Sequence, residues 1–183
     1  KKLAAKNLDI LASGEFDAIV TDCSSCASFL KKYPDIFADD NRHERAKTVA
    51  SLLKDMVELI VPNEPVSVSP DNPVVVTYHD PCHASRGQGL AKEPREILKN
   101  IPGIEYREMP EADWCCGGAG SYALAHYDLS QKVLDRKMEN LKKTDADILV
   151  TSCPACMSTL RQTASWRAPG RRSRPEASSG WAR

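Results

Sequence analysis

The sequence predicts an α/β fold, a largely parallel sheet flanked by helices and internally duplicated, with the first copy truncated. Three observations carry this reading. Amphipathic helical segments alternate with short β-branched runs over residues 1–160, the order that lays helices over a parallel sheet. DAIVTDCSSCASFL (17–30) aligns without a gap to DILVTSCPACMSTL (147–160), sharing Asp, Val, Thr, both Cys, Ser and Leu, seven of fourteen positions, and such self-similarity marks duplication. Finally, Cys23, Cys82 and Cys153 each follow a predicted strand, where parallel sheets present their active groups.

In chain order, Leu3, Ala4, Leu8 and Leu11 share one helix face over residues 1–13, and Gly14 stops the helix. DAIVT (17–21) is a short strand, and residues 26–33 read as a short helix. Val49, Leu52, Leu53, Met56, Val57 and Ile60 recur at three and four residues, which predicts a helix over 41–61 closed by Pro62. Prolines 62, 65, 70 and 73 make 62–73 a linker. VVVTYH (74–79) is the strongest strand signal, PREILKNI (94–101) a helix and IEYREM (104–109) a strand. Val133, Leu134, Met138 and Leu141 define a long helix over 126–144, and DILVT (147–151) is a strand running into the second CxxC. Cys116 precedes Cys153 by 37 residues, and the same interval before Cys23 falls ahead of Lys1. The organisation expected is therefore the end of a first module (1–61), the linker (62–73), a second module (74–160) and an Arg-rich tail (161–183) that is disordered or non-native. The chain also lacks an initiating Met, as a fragment beginning in mid-protein would.

Composition excludes several function classes. Lys plus Arg equals Asp plus Glu at 25 each, so no general field favours nucleic acid as a partner. The last 23 residues hold six Arg and one Glu, which leaves a net −5 on residues 1–160. There is no run of 18 apolar residues, and KKLAAKNLDIL lacks the pattern of a signal peptide. A cytoplasmic chain is expected, free or held peripherally at the cytoplasmic face of the membrane through partners.

Seven cysteines, an odd number on a chain without export signals, argue for ligands rather than a disulfide framework. Cys82, Cys115, Cys116, Cys153 and Cys156 come from three segments of the second module and can converge above one sheet edge. Soft thiolates select iron–sulfur clusters or zinc. Zinc takes four ligands, so a fifth, adjacent cysteine favours a polynuclear centre. The glycines of CCGGAG let amide N–H groups approach sulfur closely. Neither GxGxxG nor a GK[ST] turn is present, which argues against a nucleotide.

The pattern Cys82, Cys115-Cys116-Gly117 and Cys153-Pro-Ala-Cys156, with YHDPCH around Cys82 and an incomplete copy at TDCSSC, resembles the cysteine-rich CCG domain family. That family includes iron–sulfur subunits of glycolate oxidase and lactate-utilisation oxidoreductases, one of the subunits of anaerobic glycerol-3-phosphate dehydrogenase and the catalytic subunit of heterodisulfide reductase. YHDPCHASRGQG, EPREIL and ADWCCGGAGSYAL are most similar to the glycolate and lactate type. The resemblance implies that Cys82, Cys115, Cys116, Cys153 and Cys156 hold a [4Fe–4S] cluster, cubane or non-cubane, with Cys23 and Cys26 a partial second site. It further implies an electron-transfer subunit of an oxidoreductase complex, acting on glycolate or lactate. The implied partners are a flavoprotein dehydrogenase subunit with FAD, a ferredoxin-like iron–sulfur domain or subunit, and a quinone or other electron acceptor. Two alternatives remain: disulfide cleavage at the cluster, as in heterodisulfide reductase, and a zinc-stabilised interaction module.

The neighbouring side chains have ordinary readings beside functional ones. His79 and His83 could tune a cluster, ligate it or cap the strand end. Asp80 could be a turn residue, and Arg86 and Arg95 could hold an anion or lie on the surface. Trp114 and Tyr122 read as shielding aromatics, and His126 starts a helix or faces water.

Overall fold

The computed structural model describes residues 1–60 and 73–162. It opens with α1 (Lys2–Leu11), whose Ala4 and Leu8 point inward while Leu3 and Ile10 stay exposed. After the turn at Ser13-Gly14 comes β1 (Ile19–Thr21), followed by α2 (Ser24–Leu30), α3 (Tyr33–Ile36) and α4 (His43–Leu52). Leu8, Tyr33, Phe37, Ala46, Val49 and Leu53 form the core of this half, with Tyr33 and Phe37 edge to face at 6.3 Å.

The helix expected over 41–61 ends at Leu52. Leu53–Asp55 form β2, parallel to β1 with Ile19 opposite Leu53, and Met56–Glu58 make a 3₁₀ turn. β1 needs a neighbour for its backbone groups, and extension at Leu53 supplies one while Leu53 and Val57 remain buried. Asp55 fixes the break: its Oδ1 accepts from Val57 N–H at 3.3 Å and its own N–H donates to Glu58 Oε2 at 2.7 Å. Met56 and Ile60, inward on the helical reading, are exposed.

In the second half, β3 (Val74–Tyr78) is the centre of a parallel sheet with β4 (Ile104–Tyr106) on one side and β5 (Ile148–Val150) on the other. Being central, it is covered on both faces, so Val75, Val76, Thr77 and Tyr78 are buried in succession. The helices here are α5 (Cys82–Gln88), α6 (Lys92–Lys99), α7 (Ser121–Ala125), α8 (Tyr127–Lys142) and α9 (Pro154–Arg161). On α8, Leu134, Met138 and Leu141 face the core as the periodicity requires. The short helices α5 and α7 were not foreseen, because CHASRGQ and SYALA are too short and too weakly periodic to announce themselves.

The strands thus form two small parallel sheets, β1-β2 and β4-β3-β5, flanked by helices, instead of one. The copies at 17–30 and 147–160 both run strand, loop, helix. Cys23 and Cys153 occupy the same place, the extended residue that caps α2 (φ −124°, ψ 105°) and α9 (φ −132°, ψ 116°). The copies also touch, with Ser24 N–H donating to the Ser152 carbonyl at 3.3 Å, and Gln88 Nε2 of α5 joins the halves by donating to Ser24 O and Asp55 Oδ2, each at 3.1 Å. The predicted linker, apart from Pro73, and the tail beyond Gln162 lie outside the described residues. Among the described residues, no helix is long and apolar enough to cross a membrane.

Candidate metal centre

Strand ends and helix starts place the sulfurs. Cys82 opens α5 directly after β3, Cys153 caps α9 after β5, and Cys115-Cys116 lie in the loop that precedes α7. Each position is fixed locally. Gly117 adopts φ +87°, and a Cβ there would lie 2.5 Å from the Ser130 carbonyl oxygen; at Gly118 one would lie 2.0 Å from Thr159 Oγ1. Only glycine lets this loop pass so close to α8 and α9. The expected amide approach follows: Gly117 N–H donates to Cys115 Sγ at 3.3 Å, and Gly118 N–H to Cys116.

Among the described residues, one group has metal-ligand geometry: the ligand atoms of His79, Cys116 and Cys156 lie within 4.8 Å of one another, and all three residues are buried. Cys115 hydrogen-bonds Cys116, and Cys153 hydrogen-bonds Cys156. Hydrogen bonds from Cys115 and Cys156, and more weakly from His79, hold the Cys116 thiol far below its usual value against the opposing effect of burial. Cys156, Ser25 and the N–H groups of Cys156 and Ala155 bring Cys153 down to about 4, again against burial. Cys115 and Cys156, as the donors, are pushed correspondingly up. Four sulfurs linked by hydrogen bonds form a set of soft donors suited to a metal.

His79 carries the clearest sign of a missing partner. It is 1% exposed, and neither ring nitrogen makes a hydrogen bond of good geometry even though the ring faces Cys116. A buried polar group left in that state costs about 1–3 kcal/mol, and a soft metal among these donors removes the cost. The residues present therefore fit an iron–sulfur group.

The other cysteines are more exposed. Cys82 is half-buried with its sulfur 3.6 Å from His83 Nδ1, and Cys115, although hydrogen-bonded to Cys116, is exposed. Cys23 and Cys26 hydrogen-bond each other, which raises the Cys26 thiol. That pair is not remote: Ser25 Oγ, between them, is 3.5 Å from Cys153 Sγ and 3.1 Å from His83 Nδ1. None of the seven cysteines is in a disulfide.

The surroundings correct several single-residue readings. Arg95 is no anion site: its guanidinium forks onto the buried Asp80 at 2.8 and 2.7 Å and also binds Glu108. Asp80 N–H donates to the Ala112 carbonyl at 3.1 Å, which ties the His79–Cys82 loop to the loop that carries Cys115, while the ion pair anchors Asp80 to α6. Arg86 pairs with Asp113 on the surface. Trp114 is covered by Arg136 at 3.9 Å, and His126 stacks on Tyr122 at 4.5 Å. Sequence reasoning missed Lys137, a buried ammonium that donates to the Glu111 and Ala112 carbonyls and that burial makes easier to deprotonate. A lysine on the inward face of a predicted helix was the available signal.

Comparison with known proteins agrees with this chemistry. The cysteine-rich domain family, CCG, matches residues 1–31 and 76–161, and each stretch holds one CxxC copy. The chain is 36% identical over 164 residues to the probable glycolate oxidase iron-sulfur subunit of Bacillus subtilis (strain 168), covering 88% of this chain and 37% of that protein. It is 34% identical over 149 residues to one of the subunits of fumarate reductase (CoM/CoB) of Methanothermobacter marburgensis, covering 81% of this chain and 28% of that protein. Against lactate utilization protein A of Geobacillus sp. (strain WCH70) the identity is 32% over 148 residues, 79% of this chain and 61% of that protein. The chain thus spans less than two thirds of the length of each of these relatives.

Proposed function

The chain belongs to the cysteine-rich CCG domain family, related to iron–sulfur subunits of glycolate-oxidase, lactate-utilisation and fumarate-reductase type, and from that membership we propose that it is an electron-relay module of a flavin-linked 2-hydroxy-acid oxidoreductase. The carrying observation is the buried His79, Cys116 and Cys156 group, with Cys153 and Cys115 hydrogen-bonded to it. Cys82, Cys115, Cys116, Cys153 and Cys156 would hold a [4Fe–4S] centre, and Cys23 with Cys26 would belong to a first module of which residues 1–61 are the closing part. When bound, such a cluster supplies a one-electron couple.

The chain's own residues set the conditions for relay. Burial of Cys116, Cys153 and Cys156 excludes water, and the amides of Gly117 and Gly118 disperse negative charge on sulfur. Exposed Cys115 lies at the surface, where a partner can approach. The hydride chemistry, and with it the choice of glycolate or lactate, would belong to a flavoprotein partner carrying FAD, and a quinone or another acceptor would take the electrons.

Anaerobic purification with iron, sulfide and zinc analysis tests this reading. Expected are iron and acid-labile sulfide in comparable amounts, visible absorption bleached by a photoreduced flavin, and its return on addition of a soluble quinone. Zinc without sulfide would overturn it in favour of a structural module. One observation favours a second reading, disulfide cleavage: a cavity of about 190 Å³ adjoins Cys115 and Trp114 and is edged by Lys132 and Arg136. Thiol release from an added disulfide by the reduced protein, without any flavin partner, would establish that reading.

A further inference from the structure

We propose that His79 donates a ring nitrogen directly to the metal centre, so that the inner coordination is mixed imidazole and thiolate instead of thiolate throughout. The inference rests on the iron–sulfur reading above and goes beyond it by naming a ligand that the five-cysteine motif does not contain.

Position is the first argument. His79 immediately follows β3, its N–H donates to the Val150 carbonyl at 2.9 Å, and its side chain is 1% exposed. The ring is therefore held at the sheet edge between β3 and β5 and cannot swing out to water. Distance is the second. A nitrogen and a sulfur bound to one tetrahedral metal at about 2.0 and 2.3 Å stand roughly 3.5 Å apart, and the His79, Cys116 and Cys156 ligand atoms all lie within 4.8 Å of one another. Cys115 and Cys82, which the motif would place in the same shell, are more exposed than His79.

The third argument is the unmet chemistry of the ring. Both nitrogens are buried without a good hydrogen bond. The nearest carboxylate in sequence, Asp80, is occupied by Arg95 and makes no hydrogen bond to the ring. His83, the other histidine of the motif, is exposed and already bonded to Ser25 and Cys82. The ring's polar contact is with Cys116 and falls short of good hydrogen-bond geometry, and a metal held by Cys116 and Cys156 would satisfy it. A neutral imidazole in place of a thiolate also makes a cluster less negative, which raises its reduction potential.

The test uses the full chain, reconstituted anaerobically with ferrous iron and sulfide after growth on natural or nitrogen-15 histidine. Pulsed electron paramagnetic resonance of the reduced protein should show the strong coupling of a bound nitrogen, changed by the label. His79→Cys should keep its iron, lose that coupling and reduce at a lower potential, whereas His83→Gln should retain the coupling. A reconstituted cluster without bound-nitrogen coupling, or coupling that survives in His79→Cys, would overturn the assignment and leave the relay reading standing. If the protein takes only zinc, X-ray absorption decides: a nitrogen in the shell keeps His79 as a ligand and overturns the iron–sulfur reading, and an all-sulfur shell overturns both.

Discussion

Single cysteines differ in what they can be asked to hold. Cys153 is buried, caps α9 and hydrogen-bonds Cys156, whereas Cys23 is half-buried and its thiol hydrogen-bonds Cys26. Cys153→Ser should therefore lower iron occupancy and bleach visible absorption after reconstitution, because ligand binding and loop order are coupled. Cys23→Ser should change iron content little, and equal retention in both variants would remove Cys153 from the ligand set. The glycines offer a cleaner stability test. Gly117→Ala meets a backbone oxygen as well as a left-handed φ, and should cost about 2–4 kcal/mol in urea unfolding. Gly89→Ala keeps only the strained φ, with nothing within 4 Å, and should cost about 1 kcal/mol. The cysteine spacing was legible because thiolate chemistry leaves few other uses for it. For His79 the sequence offered a tuner, a ligand or a strand-end cap without deciding among them, since burial and the lack of a well-formed hydrogen bond are facts of packing that no local pattern encodes.

At the scale of elements, periodicity found the long helices and β-branching found the strands, while the break at Leu53 escaped both. Leu53 and Val57 suit a helix face and a strand end equally, and pairing with β1 decided between them. The ion pair under the cysteine loops shows the same limit, since Arg95 on α6 and Asp80 after β3 look like surface residues in sequence. Arg95→Gln should cost about 3–5 kcal/mol, because it leaves Asp80, whose side chain is 3% exposed, as an uncompensated buried charge. Arg86→Gln breaks a pair exposed at 64% and 55% and should cost less than about 1 kcal/mol; chemical denaturation of both variants compares them directly. Glu108 adds a pH signature. The hydrogen bond from Arg95, followed by that from Tyr106, holds its carboxyl below the usual range against burial. With the folded value under the unfolded one of about 4.3, its contribution is present above that value and is lost as pH falls through the folded one. Glu108→Gln should therefore flatten the acid limb of stability, read as urea midpoints between about pH 6 and about pH 3.

Across the whole molecule, the two CxxC copies meet along Ser24–Ser152 and Ser25–Cys153, so a metal bound by the second copy should also restrain the first. The apolar core of the first half, around Leu8, Tyr33 and Phe37, has no share in that restraint. The duplication was legible in the sequence, but the contact between copies was not, because serine-to-serine hydrogen bonds leave no compositional trace. Hydrogen exchange can separate the two kinds of order. Metal loading should slow exchange at Gly117, Gly118, Ala155 and Cys156, whose N–H groups face sulfur. Ser24 should follow across the junction, since its N–H donates to Ser152, next to Cys153. Amides of α1 and α4 should change little, because their stability comes from apolar packing that is complete without metal. Protection confined to the second half would show that the junction transmits nothing. Uniform protection of both halves would show instead that metal binding and global folding are a single step, as in small domains with no sufficient core of their own.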